Sequence, residues 1–231
     1  MKTVLFDLDG TLLPMNNEEF LRLYFTAMNE KMEPLGFDPK ELTGNIWKAT
    51  ERMMKNDGNA TNCDVFWKGF ADIYGDNVIK YIPDFDSFYA NEFSAAKEGT
   101  TCSPHAAECV KAYMDKGYKV VLATNPLFPE VATRARCEWA GLDFDTFELV
   151  TTYENSRFCK PNLNYFRDIL EDVEASPDEC IMIGNDVRED MCAGELGMET
   201  ILITDCMVHH EGEDLSGFKC MTLKELAESL K

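Results

Sequence analysis

Residues 4–13 read VLFDLDGTLL. An apolar run of this kind predicts a buried strand, yet its end carries Asp7 and Asp9, followed by Gly10 and Thr11. Carboxylates two apart on an extended chain point to the same side. In parallel α/β sheets ligands gather beyond the carboxyl ends of the strands, so both acids stand where a ligand would meet them. Two other readings exist. Asp7, Asp9, Thr11 and Glu18 fall at calcium-loop positions, but Leu12 stands where that loop needs glycine, and the flank is a strand. The other is a solvated strand end with an Asp-Gly turn.

Outward from this stretch, four more short apolar runs read as buried strands: residues 118–123, 147–151, 180–183 and 200–203. They are continuous rather than alternating, as strands covered on both faces are. Helical patterns separate them. Ser103 and Pro104 read as a helix start and Gly117 as its end; Gly141 and Gly197 close two more. Asn162 to Val173 carries Leu163, Phe166, Ile169, Leu170 and Val173 on one face. The alternation predicts a doubly wound, Rossmann-like parallel sheet.

One gap breaks the rhythm. About 90 residues lie between Thr11 and Ser103, far beyond one crossover. Phe20, Leu21, Tyr24, Phe25 and Met28 form a helical stripe; Asp38-Pro39 starts a second helix, and residues 64–74 and 84–93 read as two more. The expected organisation is an α/β core of residues 1–14 and 95–231 with an all-helical insert of residues 15–94. Trp47, Met53, Met54, Phe66 and Trp67 are expected to form most of its core, with one or two lining the substrate side.

The 231 residues suffice for a sizeable core without staples. The net charge of −20, from 42 acidic and 22 basic residues, argues against nucleic acid and anionic membranes as partners. An anionic ligand must then meet a local positive site. Neither a secretory signal nor a membrane span is read, and nine cysteines without C-x-x-C spacing suit a reducing cytoplasm. His209 and His210, near Cys206 and Glu211, read as a solvated loop. Arg134 and Arg136 read as surface helix charges. The oligomeric state is not legible.

FDLDGTLL resembles the first motif of the haloacid dehalogenase superfamily in its phosphatase form. LATN (residues 122–125), the Lys160-Pro161 pair and IGNDVRED (residues 183–190) resemble the second, third and fourth motifs, in the right order and each after a strand. The helical insert lies where that family carries a cap. The resemblance implies hydrolysis of a small phosphorylated metabolite, with Asp7 as nucleophile and Asp9 as acid and base. Thr124, Asn125 and Lys160 would bind the phosphate. Mg2+ would be held by Asp7, Asp9 through its main-chain carbonyl, and a fourth-motif acid. The family usually has Asp after Gly184, where Asn185 stands. Asp186 is favoured as the ligand because a carboxylate suits magnesium better than an amide, leaving Asp190 to orient ligands or Lys160. A sugar phosphomutase and a non-catalytic phosphate sensor are the alternatives; a dehalogenase does not carry Asp two residues after its nucleophile.

Overall fold

The computed structural model describes residues 2–231; Met1, the first residue of the expected core segment, lies outside them. Among the described residues six strands form one sheet: β1 (Thr3–Phe6), β2 (Lys119–Leu122), β3 (Leu149–Val150), β4 (Cys180–Gly184), β5 (Glu199–Ile203) and β6 (Lys219–Met221). Their order is β3-β2-β1-β4-β5-β6, and every neighbouring pair is parallel. β1 lies inside the sheet between β2 and β4, and its four residues are all buried. Val4 and Phe6 face one apolar cluster and Leu5 the other, so the period of two feeds both layers. The first layer is built by α5 (Pro104–Asp115) and α8 (Leu223–Ser229), the second chiefly by α7 (Leu163–Asp172). Each fully buried Leu or Phe contributes about 1.5–3 kcal/mol. α6 (Glu130–Trp139) follows β2.

β6 was not expected: its three residues are exposed or half-buried and include Lys219, so they give no apolar run. The expected strand 147–151 is hydrogen-bonded as a strand only at Leu149–Val150.

Between β1 and α5 lie α1 (Asn17–Met32), α2 (Pro39–Met54), α3 (Asn62–Tyr74) and α4 (Ile82–Ala90), followed by the tighter helical turns of Glu92–Gly99. Asn16, Asp38 and Thr61 cap α1, α2 and α3 with their side chains. Phe37, Phe70, Trp67 and Phe85 stack edge-on in the insert's core. Trp47 and Met54 correct the expectation: they are exposed. α2 buries Leu42, Asn45, Ile46, Ala49, Thr50 and Met53, and neither residue falls on that stripe.

Beside aromatic contacts such as Phe20 with Phe128 and Phe93 with Trp139, polar contacts tie the insert to the core at its two ends and at the start of α3. At its ends the two crossing segments are paired: Asn16 N–H donates to Gly99 O at 2.9 Å and Thr101 N–H to Pro14 O at 2.8 Å, with Met15 and Thr100 bridged antiparallel. At the start of α3, the fully buried Asn62 is held from both sides. Its N–H donates to Ser156 O at 2.8 Å, and its Nδ2 reaches Pro126 O at 3.3 Å and Phe158 O at 3.4 Å.

Candidate active site

The sheet register sets the site. Phe6 is level with Leu122 on β2 and Ile183 on β4, so the residues just after these three strands meet at one edge. Strand order reverses at β1, which makes this edge the switch point where open α/β sheets bind ligands. Asp7, Thr124, Asn125, Asn185 and Asp186 all emerge there, around a cavity of about 250 Å³ that Asp9, Glu189 and Asp190 also line.

Asp7 is almost buried and held by both oxygens: Thr11 Oγ1 donates to Oδ2 at 2.9 Å, and Lys160 Nζ to Oδ1 at 3.0 Å. Lys160, 1 % exposed, also donates to Asp190 Oδ1 at 2.6 Å. Burial works against the ammonium, but Asp190 and Asp7 outweigh it and hold its pKa well above the usual lysine value. Burial pushes the Asp190 carboxyl upward, and Lys160 opposes it. Asp190 Oδ2 accepts the Asp186 N–H at 3.0 Å. Gly184 leaves room for this carboxylate, since a Cβ there would stand 2.1 Å from Asp190 Oδ2.

Asn125 ties the second motif to the third and fourth. Its Oδ1 accepts the Lys160 N–H at 3.2 Å, and its Nδ2 donates to Glu189 Oε2 at 2.8 Å. Burial pushes the Glu189 carboxyl up to about 7. The Thr124 carbonyl is fixed by Thr151 Oγ1 at 2.7 Å and the Tyr165 hydroxyl at 2.9 Å. The Thr124 hydroxyl is different: it is buried at the cavity with no hydrogen-bond partner. A buried hydroxyl left unpaired costs about 1–3 kcal/mol, so an anion accepting from it would recover that loss.

The fourth motif divides its two candidates. Asn185 is committed at both ends of its amide. Oδ1 lies 3.0 Å from Thr11 Oγ1, which has one proton to share between it and Asp7, and Nδ2 donates to Cys206 O at 2.7 Å. Gly10, at φ +84°, gives that amide its space, as a Cβ would fall 2.3 Å from Asn185 Nδ2. Asp186 Oδ1 accepts the N–H groups of Arg188 (2.7 Å) and Glu189 (2.9 Å).

Arg136 corrects the sequence reading. It is no surface charge: 1 % exposed, it reaches from α6 to the Asp9 carboxylate with Nη1. Arg134, by contrast, pairs with Glu130 and Asp145 on the outside. The signal existed, because α6 buries Ala132, Thr133, Arg136 and Cys137, a helical stripe with Arg136 on it. Burial pushes the Asp9 carboxyl above its usual range; Arg136 pulls it back and Asp7 pushes it further. No sequence pattern marks Glu189 or Asn62, and Thr11 is read from the sequence only as a turn or calcium-loop position. His209 and His210 are exposed, and among the described residues no three His, Cys or acidic side chains converge as a metal cluster.

The site's charges leave room for a cation. Among the described residues, the carboxylates of Asp7, Asp9, Asp186 and Asp190 meet two buried cations, Lys160 and Arg136. A hard divalent ion fits that surplus and the all-oxygen donors.

Fold and site together define a doubly wound α/β hydrolase with an aspartate at the end of its central strand. More narrowly, the model of the haloacid dehalogenase-like hydrolases matches residues 1–196, and the chain belongs to that family. It is 26 % identical over 211 residues to a ribulose-1,5-bisphosphate 5-phosphatase of Halopiger xanaduensis, covering 86 % of this chain and 83 % of the relative. A HAD phosphatase structure from Thermococcus onnurineus superposes with a TM-score of 0.59 at 22 % identity, covering 100 % of this chain and 98 % of that one. A 2-haloacid dehalogenase structure from Pseudomonas syringae pv. Tomato gives 0.62 at 18 % identity, with 100 % and 98 % covered. These structural likenesses establish the fold.

Proposed function

We propose that the protein hydrolyses a small phosphate monoester or anhydride in two displacements at phosphorus. Asp7 attacks, the bond to the leaving oxygen breaks, and Asp9 gives that oxygen a proton. Water then attacks the aspartyl-phosphate, losing its proton to Asp9 and freeing Asp7 and inorganic phosphate. The Thr124 hydroxyl, Asn125 and the Lys160 ammonium hold the phosphate oxygens. Bound Mg2+ would offset the surplus negative charge and lower repulsion between Asp7 and the phosphate. Asp7, the Asp9 carbonyl and Asp186 would hold it. Asn185, spent on Thr11 and Cys206, supports the choice of Asp186.

The observation that carries this reading is the buried Lys160, shared by Asp7 and Asp190 beside an unpartnered Thr124 hydroxyl. It supplies the local positive site that an acidic chain needs. The helical insert, whose Asn17 reaches the same cavity, would act as the cap over it. The likeness to the Halopiger enzyme supports a phosphorylated sugar as substrate class. Nine free cysteines support a cytoplasmic setting.

The test is phosphate release by purified protein from a panel of phosphometabolites, ribulose 1,5-bisphosphate included, with Mg2+ and with EDTA. Turnover on at least one sugar phosphate, lost in EDTA and in Asp7→Asn, is expected. Tight binding with no turnover on any substrate would overturn it in favour of a phosphate sensor.

A further inference from the structure

Arg136 has no part in the mechanism above, and its setting is costly. A charged guanidinium this deeply buried needs partners for its N–H groups and its charge. Nε donates to Ala132 O at 3.3 Å and Nη2 to Thr133 Oγ1 at 3.1 Å, both within α6. Among the described residues, the only carboxylate it pairs with is Asp9, through Nη1 to Oδ2. Its Cζ lies 4.5 Å from the centre of the Phe128 ring. The planar group is therefore fixed by α6 on one side and a ring on the other, with its free end on Asp9.

Asp9 depends on it in return. The other carboxylate oxygen, Oδ1, is buried with no hydrogen-bond partner. A carboxylate turns easily about its last torsion. Among the described residues, the only side-chain hydrogen bond that fixes this one comes from Arg136. As a stability device the pair is poor, since a buried ion pair is often matched by apolar residues of similar volume. As a clamp it is well made.

We infer that Arg136 is the positioning residue for Asp9: it holds the carboxylate in the orientation from which the proton is passed to the leaving oxygen and recovered from water. The inference rests on the acid–base role proposed for Asp9. It has a second consequence, because Phe128 also packs edge-on against Phe20 and Tyr24 of α1. The seat of Arg136 is thus also a contact of the insert.

The test compares wild type, Arg136→Met, Arg136→Lys, Asp9→Asn and the double variant Asp9→Asn/Arg136→Met on an alkyl phosphate and on p-nitrophenyl phosphate, with folding checked by thermal melts. Arg136→Met should lower kcat on the alkyl ester about 10–100-fold, a fraction of what acid–base catalysis supplies. KM should hold, and the loss on the aryl ester, whose leaving group needs little protonation, should be much smaller. Arg136→Lys should recover part of the rate. The double variant should be no slower than Asp9→Asn alone. Should Arg136→Met not fold, Arg136→Lys and Thr133→Val decide, each expected to show a weaker loss of the same substrate pattern. Multiplying losses in the double variant, a change in KM only, an unchanged kcat or a faster enzyme would each overturn the inference. If Asp9→Asn itself falls equally on both esters, the acid role fails. The clamp is still judged by whether the Asp9 and Arg136 losses overlap.

Discussion

The site holds two buried cations that differ in nearly every respect. Lys160 comes from a loop after β3 and sits between two carboxylates, Asp7 just after β1 and Asp190 in the loop after β4. Arg136 comes from a helix, meets one carboxylate that is itself partly exposed, and uses its remaining N–H groups on its own helix. The flexible ammonium suits a shared point charge; the rigid fork suits the clamp inferred for it. On the proposed mechanism, the site would neutralise a phosphate with one side chain and aim a proton carrier with the other.

The sharpest way to break this contrast is to remove its target. Asp7→Asn is nearly isosteric but cannot attack phosphorus, so turnover should fall below a few per cent of wild type with the fold intact. Steady-state assay and circular dichroism check both halves, and substantial residual turnover would sink the covalent route. Next comes Lys160→Met. It strands Asp7 and Asp190 as buried like charges, so both turnover and stability should drop, the latter by about 3–5 kcal/mol in urea unfolding. Arg136→Met should cost less stability, because Asp9 keeps some access to water. Equal losses would erase the distinction drawn between the two cations.

A smaller effect tests the metal. Asp186→Asn should raise the magnesium needed for half-maximal activity about 10–100-fold, and Asn185→Ala much less. The opposite ranking in a magnesium titration would assign the ligand to Asn185.

The smallest effect is on stability against pH without metal. Burial raises the Glu189 carboxyl from its ordinary 4.5 to about 7. Its folded state therefore holds a proton that the unfolded state has lost between those values. Stability from this group is fullest below about 4.5 and declines as pH rises to about 7. Glu189→Gln keeps an acceptor for Asn125 and removes the titration. Its melting temperature relative to wild type should thus climb across that window, by about 2–4 °C for each kcal/mol recovered in a chain this size. A flat difference would show that Glu189 is not held protonated by burial.

What the sequence disclosed follows the same divide. Asp7, Thr124, Lys160 and Asp186 sit in short strings at strand ends, where local pattern and position coincide. Arg136 was misread because a charged residue on a helix is usually solvated, although its place among Ala132, Thr133 and Cys137 argued otherwise. Trp47 and Met54 failed the other way: apolar by type, but off the stripe that α2 buries. For Asn62 no local signal exists, since its partners lie 64 and 96 residues along the chain. β6 is too short and polar to give one.

The two crossings that join insert to core are stitched to each other by Asn16, Gly99, Pro14 and Thr101, while Asn62 fastens the far side to the loops of Pro126 and Phe158. Mechanically this is a hinge and a clasp. Paired crossings bend together, so the insert cannot swivel about one strand while the other stays still. Any parting of insert from core has to undo the Asn62 contacts, which lie one residue from Asn125 and two from Lys160. On the proposed function, the catch of the insert and the residues that would cradle the phosphate share the same two loops, so loosening either would disturb the other.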